Sequence, residues 1–177
     1  MGAAIVVLTA VVLLAMGRVP WCECGYVKLW HSGASSPETS QHLTDPYSFS
    51  HVIHGFGFFW LGWLLLPRWS LGARGILAIV AECGWEILEN TPLIIDRYRE
   101  TTASLTYYGD SVVNSMGDVG AMMLGFWIAS KLPFWAVLVM TVVIEVVLLF
   151  LIRDNLTLNI IMLVWPMEAI KRWQLRG

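Results

Sequence analysis

The sequence predicts an all-α membrane protein in which residues 1–177 form a single domain of about five transmembrane helices. The chain is 57% hydrophobic and only 14% charged, which leaves too little polar surface for a soluble domain of this length. Its apolar residues form separate runs whose lengths approach what is needed to span about 30 Å of hydrocarbon. Several of its 10 tryptophans lie at the ends of these runs, as in the aromatic belts of membrane proteins.

The apolar runs and the residues that flank them give the predicted elements in order. We expect transmembrane helices over about 3–17, 46–66, 71–92, 111–130 and 133–152. Asp45 followed by Pro46 is typical of a helix start and begins the second helix. Pro92 ends the third helix, and Pro133 separates the fourth from the fifth. The apolar stretch 156–165 is too short to span, so we expect it to lie at the interface or to re-enter the bilayer.

Charge and cysteine content narrow the classes of function. The formal net charge is −2 and the sequence has no basic block, so nucleic acid is not a predicted partner. Two of the three cysteines occur in the sequence WCECG and the third lies far away. This pattern is not a disulfide framework. A C-x-C pair can bind a metal, but no second pair follows it, and two ordinary thiols are the favoured interpretation.

Five crossings would place the long polar segments 18–50 and 93–109 on the same side of the membrane as the tail after residue 153. Most of the 11 lysines and arginines belong to that side. The positive-inside rule would place it in the cytoplasm. Arg97 and Arg99 would contribute to this count even if they served binding, so the orientation stays open.

Ionisable and amide side chains recur within the apolar runs at helical spacing. They comprise His51 and His54 in the second predicted helix, Glu82, Glu86 and Glu89 in the third, Asp110, Asn114 and Asp118 in the fourth, and Glu145 in the fifth. Spacings of three and four residues put the members from one helix on one face. An acid at the bilayer centre costs roughly 2.5–3.5 kcal/mol, so these side chains must point inward, pair with one another or contact water. Gly117, Ala121 and Gly125 would let a neighbouring helix approach closely.

We therefore predict one inward polar site formed by the second to fifth helices. The candidate catalytic residues are His54, Glu86 and Asp118, which are also the ligands of a divalent metal if one is bound. The candidate substrate-binding residues are Glu82, Glu89, Arg97, Arg99, Asp110, Asn114 and Glu145. Three of them have a structural alternative: Asp110 as the cap of the fourth helix, Glu89 as a headgroup-level partner of a surface arginine, and Asn114 as a link between two helices. His51 is interpreted as a helix-start or interfacial histidine.

Three functions fit this pattern. The leading one is an inner-membrane protein that binds or processes a polar lipid headgroup, such as a lipid or polyprenyl phosphate, with the bilayer and this lipid as its partners. A small proton-coupled transporter would use the stacked acids as a relay. A non-catalytic subunit or assembly factor would use them for specific packing. No short metal motif such as HExxH decides among them.

Five segments resemble an uncharacterised family of alphaproteobacterial membrane proteins, known as a protein family or domain of unknown function. The segments are MGRVPWCECGYVKLWH, SHVIHGFGFFWL, EILENTPLIIDRYRE, LTYYGDSVVNSMGD and IRDNLTLNIIML. This resemblance implies a multi-pass protein of the bacterial cell membrane and no particular activity. The chain is also similar, more weakly, to VanZ-like membrane proteins, whose pattern would map to His54, Glu82, Glu86, Arg97 or Arg99, Asp110, Asn114 and Gly120. WCECG and RDNLTLN have no counterpart there, and likeness of fold does not carry function.

Overall fold

The computed structural model describes residues 1–176, and all regular secondary structure in this range is helical. The helices are α1 (Gly2–Ala15), α2 (Ser48–Leu65), α3 (Leu71–Glu89), α4 (Pro92–Thr101), α5 (Val112–Ala129), α6 (Phe134–Ile152), α7 (Leu156–Val164) and α8 (Glu168–Gln174). The predicted all-α class is confirmed. The five predicted spans correspond to α1, α2, α3, α5 and α6, and the short apolar stretch corresponds to α7.

Two helices were not predicted, and both are short. The expected loop over 93–109 is wrong in its first half, because α4 occupies residues 92–101. Pro92 does not end the third helix. It is the first residue of α4, following Thr91 in an extended conformation, a position where proline costs no backbone hydrogen bond. The other missed helix, α8, covers part of the polar tail.

Within residues 1–176, α5 and α6 are long and apolar enough to cross a membrane, with mean hydropathies of 1.3 and 2.8. Only 11% of the residues of α6 are buried inside the protein, and its outward side chains include Phe150 and Leu151, which are 81% and 73% exposed. The remaining predicted spans are shorter or more polar. These two helices are a weak indication of membrane association and do not establish five crossings.

The helices that carry the polar residues pack around a close contact between α2 and α5. A side chain at Gly55 would collide with the backbone of Met122, and one at Gly125 would collide with the backbone of Val52. A side chain at Gly117 would likewise strike the carbonyl of Leu43. The prediction that a glycine lets a neighbouring helix approach closely is confirmed for Gly125, whereas Gly117 meets the segment before α2. This contact fixes the rotation of α2 against α5 and hence the direction in which its histidines point.

Apolar clusters on either side of this contact hold the other helices in place. One joins α3 to α5 through Ala78, Ile79, Cys83, Val119 and Met122, with Ile5 and Val6 of α1 packed against it. The other joins α2, α5 and α6 through Phe56, Ala129 and Val137. At the opposite end, α4 packs against α7. The polar halves of α2, α3 and α5 are therefore enclosed between these layers.

Candidate functional site between α2, α3 and α5

Two histidines in the first turns of α2 share one glutamate of α3. His51 and His54 are three residues apart and so project from the same face of the helix. His51 Nδ1 lies 2.5 Å from one carboxylate oxygen of Glu82, and His54 Nδ1 lies 3.1 Å from the other. Glu82 is fully buried. The structure thus joins His54 and Glu82, both predicted site residues, with His51, which is buried and not interfacial as the sequence predicted.

Two further acids surround His51. Its Nδ1 lies 3.5 Å from Glu86 Oε1, and its Nε2 lies 3.8 Å from Asp118 Oδ2. Asp118 also accepts a hydrogen bond of 2.6 Å from the hydroxyl of Ser48. Both carboxylate oxygens of Glu86 are buried and have no hydrogen-bond partner among residues 1–176. A buried carboxylate without a partner is costly and is typical of a group that binds a cation or a proton.

These side chains form two sets that could hold a metal ion. One set is His51, His54 and Glu82, and the other is His51, Glu86 and Asp118; within each set the ligand atoms lie within 4.8 Å of one another. Imidazole and carboxylate ligands suit Zn²⁺, Mn²⁺ and Fe²⁺. The sequence grouped His54 with Glu86 and Asp118, whereas the structure puts His51 in that position and makes it common to both sets.

A cavity of about 70 Å³ opens from this cluster and is lined in part by predicted residues. Its lining includes His51, His54, Glu89, Asp110 and Asp118, and it also contains the aromatic side chains of Tyr47, Trp85, Tyr98 and Tyr107. Sequence reasoning missed the tyrosines. Tyr98 and Tyr107 lie in the segment expected to be a loop, so no helical periodicity pointed to them. Tyr47 lies in the predicted second helix, four residues before His51, and helical spacing could have placed it on the same face. The cavity therefore combines acids, imidazoles and aromatic rings.

Asp110 forms a second polar layer next to the cavity. Its carboxylate accepts hydrogen bonds from Asn90 Nδ2 at 2.9 Å and from the Tyr107 hydroxyl at 3.0 Å. Burial raises the pKa of Asp110 to about 6, although these two hydrogen bonds act in the opposite direction. The cap of α5 is Ser111, which accepts a hydrogen bond from the backbone of Asn114. The alternative interpretation of Asp110 as a helix cap is therefore wrong.

Four other predicted site residues have different partners in the structure, outside the cavity lining of residues 1–176. Arg97 donates to the carbonyl of Leu163 at 3.0 Å, and Arg99 pairs with Asp96 on the surface. The Glu145 carboxylate accepts from the backbone N–H groups of Leu156 and Thr157, each at 3.1 Å, and so caps α7. Asn114 Nδ2 donates to the carbonyl of His42 at 2.9 Å.

The segment between α1 and α2 lies over the polar ends of the helices and supplies part of the cavity lining. Asp45 organises this segment rather than α2 itself, because its carboxylate accepts hydrogen bonds from the backbone N–H groups of Ser40 and Tyr47 at 2.9 and 2.8 Å.

Glu38 is the ionised acid of this segment. Hydrogen bonds, first from Lys28 and then from His42, lower the pKa of Glu38 to about 2, so this side chain is ionised at neutral pH.

The same segment contains a disulfide between Cys22 and Cys24, which are only two residues apart in the chain. The interpretation of these residues as two ordinary thiols is wrong. A tight turn closed by the bond from Gly25 N–H to the Cys22 carbonyl, with Gly25 at a φ of 87°, brings the two Cα atoms to 5.1 Å. That separation is within the range of disulfides, and glycine adopts this φ without strain.

Comparisons with known proteins give a consistent picture. Residues 13–176 match the family model described as "Protein of unknown function (DUF2585)". The chain is 51% identical to a UPF0314 protein of Agrobacterium fabrum, covering 97% of this chain and 87% of the relative. It is 53% identical to a UPF0314 protein of Rhizobium etli (97% and 88%) and 49% identical to one of Sphingopyxis alaskensis (99% and 93%). No solved structure matches the chain.

Proposed function

We propose a function for this chain, which belongs to the DUF2585 family of proteins of unknown function, from the chemistry of its site. The protein is a multi-pass protein of the bacterial inner membrane. It binds a divalent cation between α2, α3 and α5 and uses that cation to bind and process the phosphate of a polar lipid headgroup.

The distribution of polar and apolar side chains supports the membrane part of this proposal. The ionisable groups of α2, α3 and α5 point inward, with Glu82 and Glu86 fully buried. Large apolar side chains point outward on α1, α2, α5 and α6, and include Leu64, Trp127 and Phe150. A soluble monomer rarely exposes so much contiguous apolar surface. In a bilayer the same surface contacts acyl chains, and α1, α2 and α3 complete the five crossings.

The single observation that carries the cation is the environment of Glu86. Its two carboxylate oxygens are buried and unpartnered within residues 1–176, and they face His51, which already contacts Glu82 at 2.5 Å. If all three carboxylates around this imidazole were ionised, they would leave a surplus of negative charge in a region of low dielectric constant. A dication bound by His51 and these acids would offset that surplus.

The chemistry of the cavity supports a phosphate as the group brought to this cation. Among the described residues, neither lysine nor arginine belongs to its lining, so the chain offers an anion there no permanent positive charge. A divalent cation would supply it, polarise the phosphoryl oxygen and activate a water molecule. His54 is partly exposed, lies beside the cluster and lines the cavity, which suits a general base. A lipid is the natural source of a phosphate within reach of a site at this depth.

The test is the lipid composition of a bacterial strain that lacks the gene, complemented with variants of the full chain. We expect loss of the gene to raise the level of one phosphate-bearing lipid class. The wild type and Glu100→Gln, an exposed glutamate of α4, should restore the normal level, and Glu86→Gln at equal abundance in the membrane should not. Restoration by Glu86→Gln, or an unchanged lipid profile in the deleted strain, would refute the proposal.

A further inference from the structure

A second group of metal-binding side chains lies in the segment between α1 and α2, apart from the site described above. It consists of Cys22, Cys24, Glu38 and His42, whose ligand atoms all lie within 4.8 Å of one another. We infer that this cluster, once its disulfide is reduced, is a binding site for a thiophilic divalent cation of the Zn²⁺ type. The inference uses none of the residues of the α2–α3–α5 site and does not depend on the proposed function.

The donor set fits such a cation in number and in kind. Two thiolates, one imidazole and one carboxylate make the four ligands that Zn²⁺ takes in tetrahedral protein sites. Thiolate ligands also select Zn²⁺ over hard cations such as Mg²⁺ and Mn²⁺. Cys22 is 3% exposed and His42 is fully buried, whereas Glu38 is partly exposed and Cys24 is exposed, so the ion would be shielded from water on one side and reachable from the other.

Existing contacts hold two of the four ligands in place. His42 Nε2 lies 2.9 Å from Glu38 Oε2, and the ring of Tyr26 stacks on the His42 ring. Lys28 Nζ lies 2.7 Å from the same oxygen of Glu38 and would remain an outer partner of the carboxylate. If His42 coordinates the metal through Nε2, its imidazole proton moves to Nδ1. The backbone N–H of Lys28, which now donates a hydrogen bond to Nδ1, must then give up that bond.

The disulfide and the metal-bound form exclude each other, because a disulfide sulfur is not a thiolate. Reduction by a dithiol converts the Cys22–Cys24 disulfide into two thiols while the dithiol becomes a disulfide. Binding of the dication then releases the two thiol protons and leaves two S–metal bonds. The site therefore takes one of two cross-links, a covalent one under oxidising conditions and a metal under reducing conditions.

Only the metal cross-link would reach the segment that lines the cavity. Ser36, Thr39 and Ser40 belong to the cavity lining, and Glu38 lies among them in the chain. The carbonyl of His42 is tied to α5 by Asn114. A cation held by the cluster would join the turn at Cys22 to this segment, whereas the disulfide closes only the turn.

The inference is tested by Co²⁺ titration of the detergent-purified full chain. A phosphine reductant is used because it does not compete for the metal as a dithiol would; it takes the oxygen of one water molecule and leaves two thiols. Reduced wild type should bind one Co²⁺ per chain at this cluster, counted by the sulfur-to-metal charge-transfer absorption that reports thiolate ligands and that the α2–α3–α5 site, which has no thiolate, would not give. Oxidised wild type should lack that absorption. Its absence from the reduced wild type at saturating Co²⁺ would overturn the inference.

Variants separate this site from other thiols and from the α2–α3–α5 site. Cys22→Ser combined with Cys24→Ser should abolish the charge-transfer absorption, whereas Cys83→Ala should keep it. His42→Gln retains both thiols and should weaken Co²⁺ binding at least tenfold, which tests the site even if the double variant does not fold. Glu86→Gln should leave the absorption unchanged, so failure here is distinguishable from failure of the proposed function. Full absorption in the double variant, or unchanged affinity in His42→Gln, would contradict the inference.

Discussion

Replacing Glu86 by glutamine should make the metal-free protein more stable while removing its response to metal. Glu86 is fully buried, and both of its carboxylate oxygens lack a hydrogen-bond partner within residues 1–176. The nearest cationic group, His51, lies 3.5 Å away and is engaged more closely by Glu82 at 2.5 Å. Glutamine keeps the shape of the side chain and cannot ionise, so it is buried without the cost of carrying a charge or of taking up a proton.

The expected gain in stability follows from the cost of burying one unsatisfied group. One unsatisfied buried polar group costs about 1–3 kcal/mol, and a charged group costs more. The amide of glutamine recovers part of this cost, so we expect the free energy of unfolding to rise by about 1–2 kcal/mol. For a chain of this size each kcal/mol corresponds to about 2–4 °C, which gives an increase of roughly 2–8 °C in the unfolding temperature.

Metal should reverse the order of the two proteins. A cation present at 100 times its Kd stabilises the protein that binds it by about 2.7 kcal/mol. Glu86→Gln lacks one of the ligands and should gain little of this stabilisation. The wild type would then unfold at a similar or higher temperature than the variant, although it is the less stable of the two without metal.

The assay is thermal unfolding of the detergent-purified chain, stripped of metal by a chelator and then titrated with Mn²⁺ while the Cys22–Cys24 disulfide is intact. Mn²⁺ prefers oxygen and nitrogen ligands, so the response reports the α2–α3–α5 site. Glu100→Gln is the matched control and should behave as the wild type. A lower unfolding temperature for metal-free Glu86→Gln, or equal Mn²⁺ responses of the wild type and Glu86→Gln, would refute the reasoning.

Three further predictions concern the framework of the site. Gly125→Ala should lower the free energy of unfolding by about 1–3 kcal/mol, because the added carbon meets the backbone of Val52. Gly120→Ala is the control: its added carbon meets nothing within 4 Å among the described residues, so the unfolding temperature should stay unchanged or rise. Burial raises the pKa of Asp154 from 3.8 to about 7. The stability that its proton provides is therefore complete below about pH 4 and is lost as the pH rises through 7, by up to about 1.4 kcal/mol per pH unit. Asp154→Asn should make the unfolding temperature less dependent on pH over this window. An equally steep pH profile in the variant would contradict the assignment. Glu145→Gln removes a charged cap from the N-terminus of α7 and should cost about 0.5–2 kcal/mol, measured by the same unfolding assay; no change would mean that the cap contributes nothing.

The helices α1, α2, α3, α5 and α6 were predictable from their apolar runs, although within residues 1–176 only α5 and α6 are long and apolar enough to cross a membrane. Each of the five expected spans has a counterpart whose ends differ by a few residues. α4 and α8 were missed because a ten- or seven-residue helix leaves too short a pattern in a polar segment. α4 also begins at Pro92, a residue whose effect depends on whether it precedes a helix or interrupts one.

The candidate site was predicted in its residue types but not in its grouping. Helical spacing shows that His51 and His54 share a face, but the rotation of α2 decides which of them meets Glu86. That rotation depends on the contact of Gly55 with α5, which no local pattern reports. Residues in the fifth predicted helix and in the loops were harder still, since Glu145 could find its backbone partners only once α7 had folded back.

The central claim, that the α2–α3–α5 site binds a divalent cation, is tested most directly by equilibrium binding of Mn²⁺ to the oxidised, detergent-purified chain. His51 belongs to both ligand sets, so His51→Asn is the most informative variant. We predict that the wild type and Glu100→Gln bind one Mn²⁺ per chain and that His51→Asn binds it at least tenfold more weakly. Absence of Mn²⁺ binding by the wild type, or equal affinity in His51→Asn, would contradict the claim.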